Sequence, residues 1–254
     1  MRIRKGILIG VLITLILVAA GSTISAQETF EIPEIGIQIG EAEGGPQELA
    51  MSLRILLLLT VLSLAPAILV LVTSFTRVVV VLSILKRALA TRQMPPSQVL
   101  VGLAIFLTIF VMAPTWQEIN QEALQPYLEE EIDREVALEA GVEPLREFMF
   151  RQTREQDIAL FVDMAEADQP AEPADVDTYI LVPAFVISEL KTAFQIGFMI
   201  YIPFIVIDMI VASTLMSMGM MMLPPVMISL PFKILMFVLV DGWHLVIKSL
   251  VETF

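Results

Sequence analysis

The sequence contains no cysteine and only one histidine, His244, among its 254 residues. Without cysteine, the chain can form neither disulfides nor zinc–thiolate centres, and thiol catalysis is excluded. Enzyme signatures are missing too: there is no phosphate-binding loop, glycine-rich dinucleotide loop, HExxH pair or nucleophile elbow. We therefore expect no catalytic residues, no metal site and no cofactor.

Positive charge is also scarce, with 15 Lys and Arg against 28 Asp and Glu, a formal net charge of −13. No basic stripe is available for nucleic acid, so we expect no such partner. Hydrophobic residues make up 57% of the chain and charged residues only 17%. This composition is typical of a polytopic membrane protein with its charges confined to a few water-facing segments.

The first 26 residues have the order of a secretory signal peptide. A basic start is followed by an apolar run over 6–20 and by small residues that end at Ala26. Cleavage there would leave the polar stretch 27–50 as a periplasmic leader. The alternative is a retained first transmembrane helix, and either outcome indicates a bacterial envelope protein.

Four apolar segments follow, and each predicts a membrane-associated helix: 53–72, 99–113, 195–215 and 226–251. They form two hydrophobic regions, 51–113 and 183–254. The first segment is long enough to cross a bilayer, and Pro66 predicts a kink in it. We expect the last region to start a helix at Pro183 and to break it at Pro203.

The connection between the first two segments, over 73–98, has no Asp or Glu. Its four cations are Arg77, Lys86, Arg87 and Arg92. The positive-inside rule places such a connection on the cytoplasmic side. An apolar stretch within it, over 78–85, should pack as a helix.

Residues 114–182, the acidic insert, carry eighteen Asp and Glu against four Arg. We expect a helical domain on the periplasmic side, with its charges solvating the surface, because they show no calcium-loop spacing. Pro144 predicts a helix start. The run 153–156 (TREQ) resembles a capping box that opens a second helix.

Methionine is concentrated in the turn over 216–225, which we call the Met loop. Met218, Met220, Met221 and Met222 fill four of five consecutive positions around Gly219. Glycine frees the backbone, and the prolines that follow stop helix propagation. Two interpretations remain open: a soft seal that closes a pore, or methionine filling gaps in an irregular core.

Charged residues also lie within the apolar segments, where they usually pair or line water. Asp208 and Lys233 each lie about a dozen residues from the centre of the Met loop, so a hairpin would bring them to similar depth. We expect an ion pair, within or between subunits. The alternatives are snorkelling at the interface or a proton relay through Asp208. Glu189 and Lys191 are further candidates for ion pairing or assembly.

Four stretches resemble signatures of the FliP family of flagellar biosynthesis proteins, which belong to the type III export gate. They are 73–77 (TSFTR), 95–100 (PPSQVL), 183–198 (PAFVISELKTAFQIGF) and 231–243 (PFKILMFVLVDGW). The resemblance runs from about residue 53 to the end of the sequence, and it is long enough to make a chance match remote.

The resemblance implies an all-α fold that assembles into a helical, hetero-oligomeric channel in the bacterial inner membrane, at the flagellar basal body. Several copies would join FliQ and FliR, near FlhA- and FlhB-type components, and unfolded flagellar substrates would pass through the centre. It further implies that the Met loop seals the closed pore and that Asp208 and Lys233 matter to the gate.

Other functions remain as alternatives. The chain could be an assembly scaffold or receptor that acts through the acidic insert, or the homologous subunit of a virulence injectisome. A transporter of small solutes would need an internal repeat and a polar midplane site, and the sequence shows neither.

Overall fold

The computed structural model describes residues 46–91, 94–166, 176–220 and 222–254. Helix is the only regular structure in these ranges, which confirms the predicted all-α class. The predicted signal peptide and most of the predicted leader lie outside them, as do Arg92 and Met221. The chain divides into two units, Met1–Leu53 and Arg54–Phe254, and the contacts described below all lie within the second.

The first helix of the described residues, α1, spans Pro46–Val72 and continues through Pro66. It is followed by α2 (Phe75–Ala88) and α3 (Ser97–Val111), which pack together as a hairpin. The predicted helix over 78–85 is therefore confirmed. Its buried residues recur at helical spacing and face the core: Val78, Val81, Leu82, Leu85 and Ala88.

The acidic insert is helical, as predicted. Its elements are α4 (Ala113–Ile119), a π-helical turn (Asn120–Leu124), α5 (Gln125–Leu128), α6 (Arg134–Gln152) and α7 (Glu155–Met164). Two predicted details were wrong. Pro144 lies inside α6 rather than at its start. The Thr153 hydroxyl donates back to the Met149 carbonyl at 2.6 Å, so it does not cap α7 and no capping box forms.

The last region consists of α8 (Thr178–Ser217), α9 (Pro225–Leu239) and α10 (Gly242–Val251). The predicted helix start at Pro183 and the break at Pro203 were wrong, because α8 runs through both prolines. The predicted single segment over 226–251 is instead bent by 65° between α9 and α10. Asp241 adopts a left-handed φ of 51° at this bend.

The buried apolar residues of the described ranges form three clusters along the bundle. The first joins the insert to the ends of α1, α3 and the start of α8, through Val72, Met112, Phe148 and Phe185 among others. The second lies under α2 and includes Leu250 of α10. The third joins the end of α2 to α8 and α9 through Leu85, Phe204 and Phe237.

Within the described residues, α1 and α8 are each long and apolar enough to cross a membrane. Two further spans are available if each bent pair counts as one, with α3 continuing into α4–α5 at 54° and α9 into α10 at 65°. The four predicted apolar segments thus correspond to two long helices and two bent pairs.

The start of the basic connection contacts the acidic insert, so the cytoplasmic side predicted for the first and the periplasmic side predicted for the second cannot both hold at this point. Val72 packs in the same cluster as Phe148 of the insert, and Arg77 donates to Gln152 at 2.9 Å. Atoms in contact cannot lie on opposite faces of a bilayer whose apolar core is about 30 Å thick. Arg77 therefore lies at the insert end of the bundle, while Lys86 and Arg87 lie at the opposite end of α2.

Candidate functional site: buried ion pairs and the Met loop

A buried ion pair joins Arg77 of α2 to Glu189 of α8. Arg77 Nε donates to Glu189 Oε2 at 3.0 Å, and Nη2 donates to the other carboxylate oxygen. The two side chains are 2% and 0% exposed. A buried charge is tolerated when a bidentate partner and further hydrogen bonds satisfy it, and this pair has both.

The remaining donors of Arg77 bind two other elements. Nη1 donates to the main-chain oxygen of Thr253 at 2.9 Å and to its hydroxyl at 3.2 Å, while Nη2 also donates to Gln152 Oε1 at 2.9 Å. The guanidinium carbon lies 4.0 Å from the ring centroid of Phe254. One cation thereby ties α2 and α8 to the end of α6 and to the segment after α10.

Sequence reasoning missed this pairing. It counted Arg77 among the basic residues that mark a cytoplasmic connection and grouped Glu189 with Lys191. One signal could have found it: Arg77 and Glu189 lie in two different stretches of the family resemblance, 73–77 and 183–198.

Lys191 instead pairs with Asp157 of α7. Ser188 donates to the other Asp157 oxygen at 2.7 Å and accepts the Arg154 main-chain N–H at 3.0 Å. Burial would raise the pKa of the Asp157 carboxyl, but the hydrogen bonds from Lys191 and Ser188, with the positive charges of Lys191 and Arg154, outweigh it and hold that pKa below its usual range. Glu189 and Lys191 thus fix two different helices to α8.

The structure brings Asp208 and Lys233 together across the hairpin of α8 and α9. Lys233 Nζ donates to Asp208 Oδ2 at 2.6 Å and to the Ala88 carbonyl at 3.2 Å. Ser229 donates to Asp208 Oδ1 at 2.5 Å. Lys233 is 2% exposed and Asp208 is 30% exposed, so the cation is enclosed while its partner faces outward.

The Met loop begins where α8 ends in a Schellman turn. Gly219 has φ +75°, its N–H donates to the Met216 carbonyl, and the Met220 N–H donates to the Leu215 carbonyl, both at 3.0 Å. Met218, Met220 and Met222 are exposed, and Met222 is 98% exposed. These side chains fill no core gap in the single chain, which leaves them available to other surfaces.

No group of three His, Asp or Glu side chains within the described ranges could hold a metal ion. The geometry instead defines an all-helical membrane protein whose elements are joined by buried ion pairs and whose last hairpin presents a methionine-rich turn. The model of the FliP family matches residues 58–250. The chain belongs to the FliP family.

Curated relatives match over most of their length, and the three described here are all named flagellar biosynthetic protein FliP. That of Bacillus subtilis (strain 168) is 60% identical over 209 residues, which is 82% of this chain and 95% of the relative. That of Pectobacterium carotovorum is 53% identical over 219 residues, covering 86% and 85%. That of Aquifex aeolicus (strain VF5) is 46% identical over 244 residues, covering 95% and 98%.

Proposed function

We propose that the chain is a channel-forming subunit of the flagellar export gate and that its Met loop closes the channel at rest. Membership of the FliP family supports the coarser role of a membrane-embedded component of the flagellar export apparatus. The observation that carries the finer role is the exposed Met loop at the tip of the α8–α9 hairpin.

The chemistry of the loop suits a seal that must open. Methionine is unbranched and polarisable, so several side chains can pack against each other without one fixed geometry. The Schellman turn at Gly219 and Pro224 just before α9 fix the two ends of the loop, while Met220, Met222 and Leu223 between them are exposed. A ring of copies around one axis would bring enough methionines together to exclude water and ions.

The surroundings of the loop support a shared channel. The second half of α8 exposes Met199, Met209 and Ile210, an apolar surface that lipid or protein must cover. Further copies of this chain and the partners FliQ and FliR would cover it, in the inner membrane at the basal body. FlhA- and FlhB-type components would deliver unfolded flagellar substrates to the channel.

The seal is tested by replacing Met218, Met220, Met221 and Met222 together with Ala. We expect the complex to assemble while cells leak ions and small molecules, because alanine cannot span the gap. The matched control replaces four exposed methionines outside the loop with Ala: Met51, Met94, Met164 and Met227. Membranes that stay tight in the loop variant and export normally would contradict the seal.

The acidic insert suggests a second candidate, an assembly scaffold or receptor. It is favoured by exposed apolar side chains that lie outside the core, including Leu124, Leu128 and Leu138. Deleting the insert would be a poor test because Phe148 belongs to the core cluster shared with α8. Leu128→Ser with Leu138→Ser leaves that core intact. Lost assembly would favour the scaffold, and normal pore formation would reject it.

A further inference from the structure

We propose that a cavity at the turn between α2 and α3 binds the phosphate of an anionic phospholipid headgroup. The cavity has a volume of about 330 Å³ and lies between the end of α2 and the start of α3. The sealing and assembly roles proposed above make no use of it. Its lining combines cations and hydroxyls with an apolar wall, which is the combination that a lipid headgroup and its acyl chain require.

The cavity is electropositive. Lys86 and Arg87 line it, and Lys86 Nζ donates to Ser97 Oγ at 3.0 Å, which holds the ammonium group beside the first turn of α3. Neither cation forms an ion pair within the described residues, and no carboxylate lines the cavity. The stretch 73–98 has no acidic residue at all, so no neighbour in the sequence neutralises the pair.

The start of α3 adds to this charge. The Val99 and Leu100 N–H groups are bonded to the Pro96 carbonyl, at 3.0 and 3.3 Å. Those of Ser97 and Gln98 have no main-chain partner within the part of the chain that is described. Free N–H groups at a helix start favour phosphate, because they donate hydrogen bonds at the positive end of the helix dipole.

The apolar wall argues for a lipid rather than a free phosphate. Val79, Leu100 and Val101 are the apolar residues that line the cavity, and α3 carries a further exposed apolar side chain, Ile105, beyond them. The helix α3 also begins one of the bent candidate spans, so Lys86 and Arg87 lie at the end of a span, where headgroups lie. An acyl chain along α3 and a phosphate in the cavity satisfy both features.

The test measures lipid retained by the full-length protein purified within its native complex, using mass spectrometry after exposure to phosphatidylglycerol or phosphatidylcholine. We expect wild type to prefer phosphatidylglycerol. Lys86→Gln with Arg87→Gln should weaken its retention roughly thirtyfold, since each cation near a membrane surface contributes about a fivefold effect and the two effects multiply. The control, Arg151→Gln with Lys248→Gln, removes two exposed cations elsewhere and should bind as wild type does.

Lys86→Arg with Arg87→Lys keeps both charges and should retain the lipid, which separates loss of charge from loss of folding. Equal retention of the two lipids, or unchanged retention in the glutamine variant, would overturn the proposal. Displacement of the lipid by millimolar inorganic phosphate would show a free-phosphate site instead. Displacement by poly-glutamate would show a site for an acidic protein segment, and either result would also overturn it.

Discussion

The two halves of α8 are both predominantly apolar in sequence yet differ in what surrounds them. The insert half, residues 178–197, contains eight of the buried residues of the helix, whereas the loop half, residues 198–217, contains only Phe204 and Leu215. The insert half forms two ion pairs with other helices, Glu189 with Arg77 of α2 and Lys191 with Asp157 of α7, and the carboxylate of each pair is buried. The loop half has one pair, and its carboxylate is partly exposed.

This difference distinguishes the half of α8 that is packed within a single chain from the half whose apolar surface requires lipid or another subunit to cover it. The insert half is surrounded by α2, α6 and α7, so its polar groups are satisfied internally. The loop half packs on the end of α2 at Phe204 and pairs with α9 through Asp208, and it leaves an apolar surface open. Folding should therefore depend mainly on the first half, and assembly and gating on the second.

The largest effect is expected from Arg77→Met, which removes the cation of the insert half and leaves Glu189 buried without a partner. The free energy of unfolding in detergent should fall by about 3–5 kcal/mol, the cost of breaking a buried pair. Arg151→Met, at an exposed pair with Glu147, is the control and should change it by less than about 0.5 kcal/mol.

A double variant, Arg77→Met with Glu189→Leu, removes both charges and should regain much of the lost stability, because no uncompensated charge remains. If Arg77→Met is as mild as Arg151→Met, Arg77 does not hold the insert half together.

The pair in the loop half should respond asymmetrically. Asp208→Ala leaves Lys233 buried with only the Ala88 carbonyl, and we expect a loss of about 2–3 kcal/mol, somewhat less than for a fully enclosed pair. Lys233→Met leaves Asp208 partly exposed and still bonded to Ser229, so about 1 kcal/mol should be lost. Measuring the free energy of unfolding of both variants tests this asymmetry, and equal losses in Asp208→Ala and Lys233→Met would contradict it.

Exchanging the two charges should not restore the pair. An aspartate at position 233 would face the Ala88 carbonyl, which repels a carboxylate, and its shorter side chain would leave space in the enclosed site. The exchanged variant should therefore be less stable than either single variant.

The bend that returns α10 to the insert half can be broken at Gly242. A Cβ there would lie 2.2 Å from two ring atoms of Phe237, and a ring cannot yield cheaply, so Gly242→Ala should cost about 1–3 kcal/mol. At Gly197 the nearest atom is the flexible Ile84 Cδ1, so Gly197→Ala should cost less, and Ile84→Val should relieve part of it. Thermal unfolding of Gly242→Ala, of Gly197→Ala and of Gly197→Ala combined with Ile84→Val would rank their losses of stability. A smaller loss in Gly242→Ala than in Gly197→Ala would contradict this order.

The smallest effect concerns acid. Because the folded state holds the pKa of Asp157 below its unfolded value of about 3.9, its contribution to stability is complete above about pH 4. The contribution is lost as the pH falls through the lower, folded pKa. The protection of α7 amides from hydrogen exchange, relative to the intrinsic rate at each pH, should fall below about pH 4 in wild type. Asp157→Asn should exchange faster at neutral pH and show less of this change, and an identical pH profile would exclude the role of Asp157.

Most of the helices could be predicted from the sequence, because apolar runs and helical spacing are local properties. Their ends could not. Pro183 and Pro203 looked like boundaries, but a long helix packed on protein or in lipid tolerates prolines that would break an isolated one. The break at Asp241 has no comparable local signal. Tertiary packing accompanies it, because the Phe237 ring lies against Gly242.

Some residues of the candidate site could likewise be predicted from the sequence, and others could not. Asp208, Lys233 and the methionines could be chosen because a charge in an apolar run, or four methionines in five positions, is unusual in itself. Arg77 and Asp157 could not, because each lies in a segment where charge is ordinary. Only their burial against α8 makes them exceptional.

The sequence by itself determined the helical class, the apolar segments, the acidic insert and the family, since these follow from composition, periodicity and long motifs. The tertiary structure alone decided which charges meet, that the start of the basic connection contacts the acidic insert, and which half of α8 is left open. The physical reason is that ion pairs such as Arg77–Glu189 join residues more than a hundred positions apart. The sequence around either residue gives no indication of so remote a partner, and only the packing of the helices brings the two side chains together.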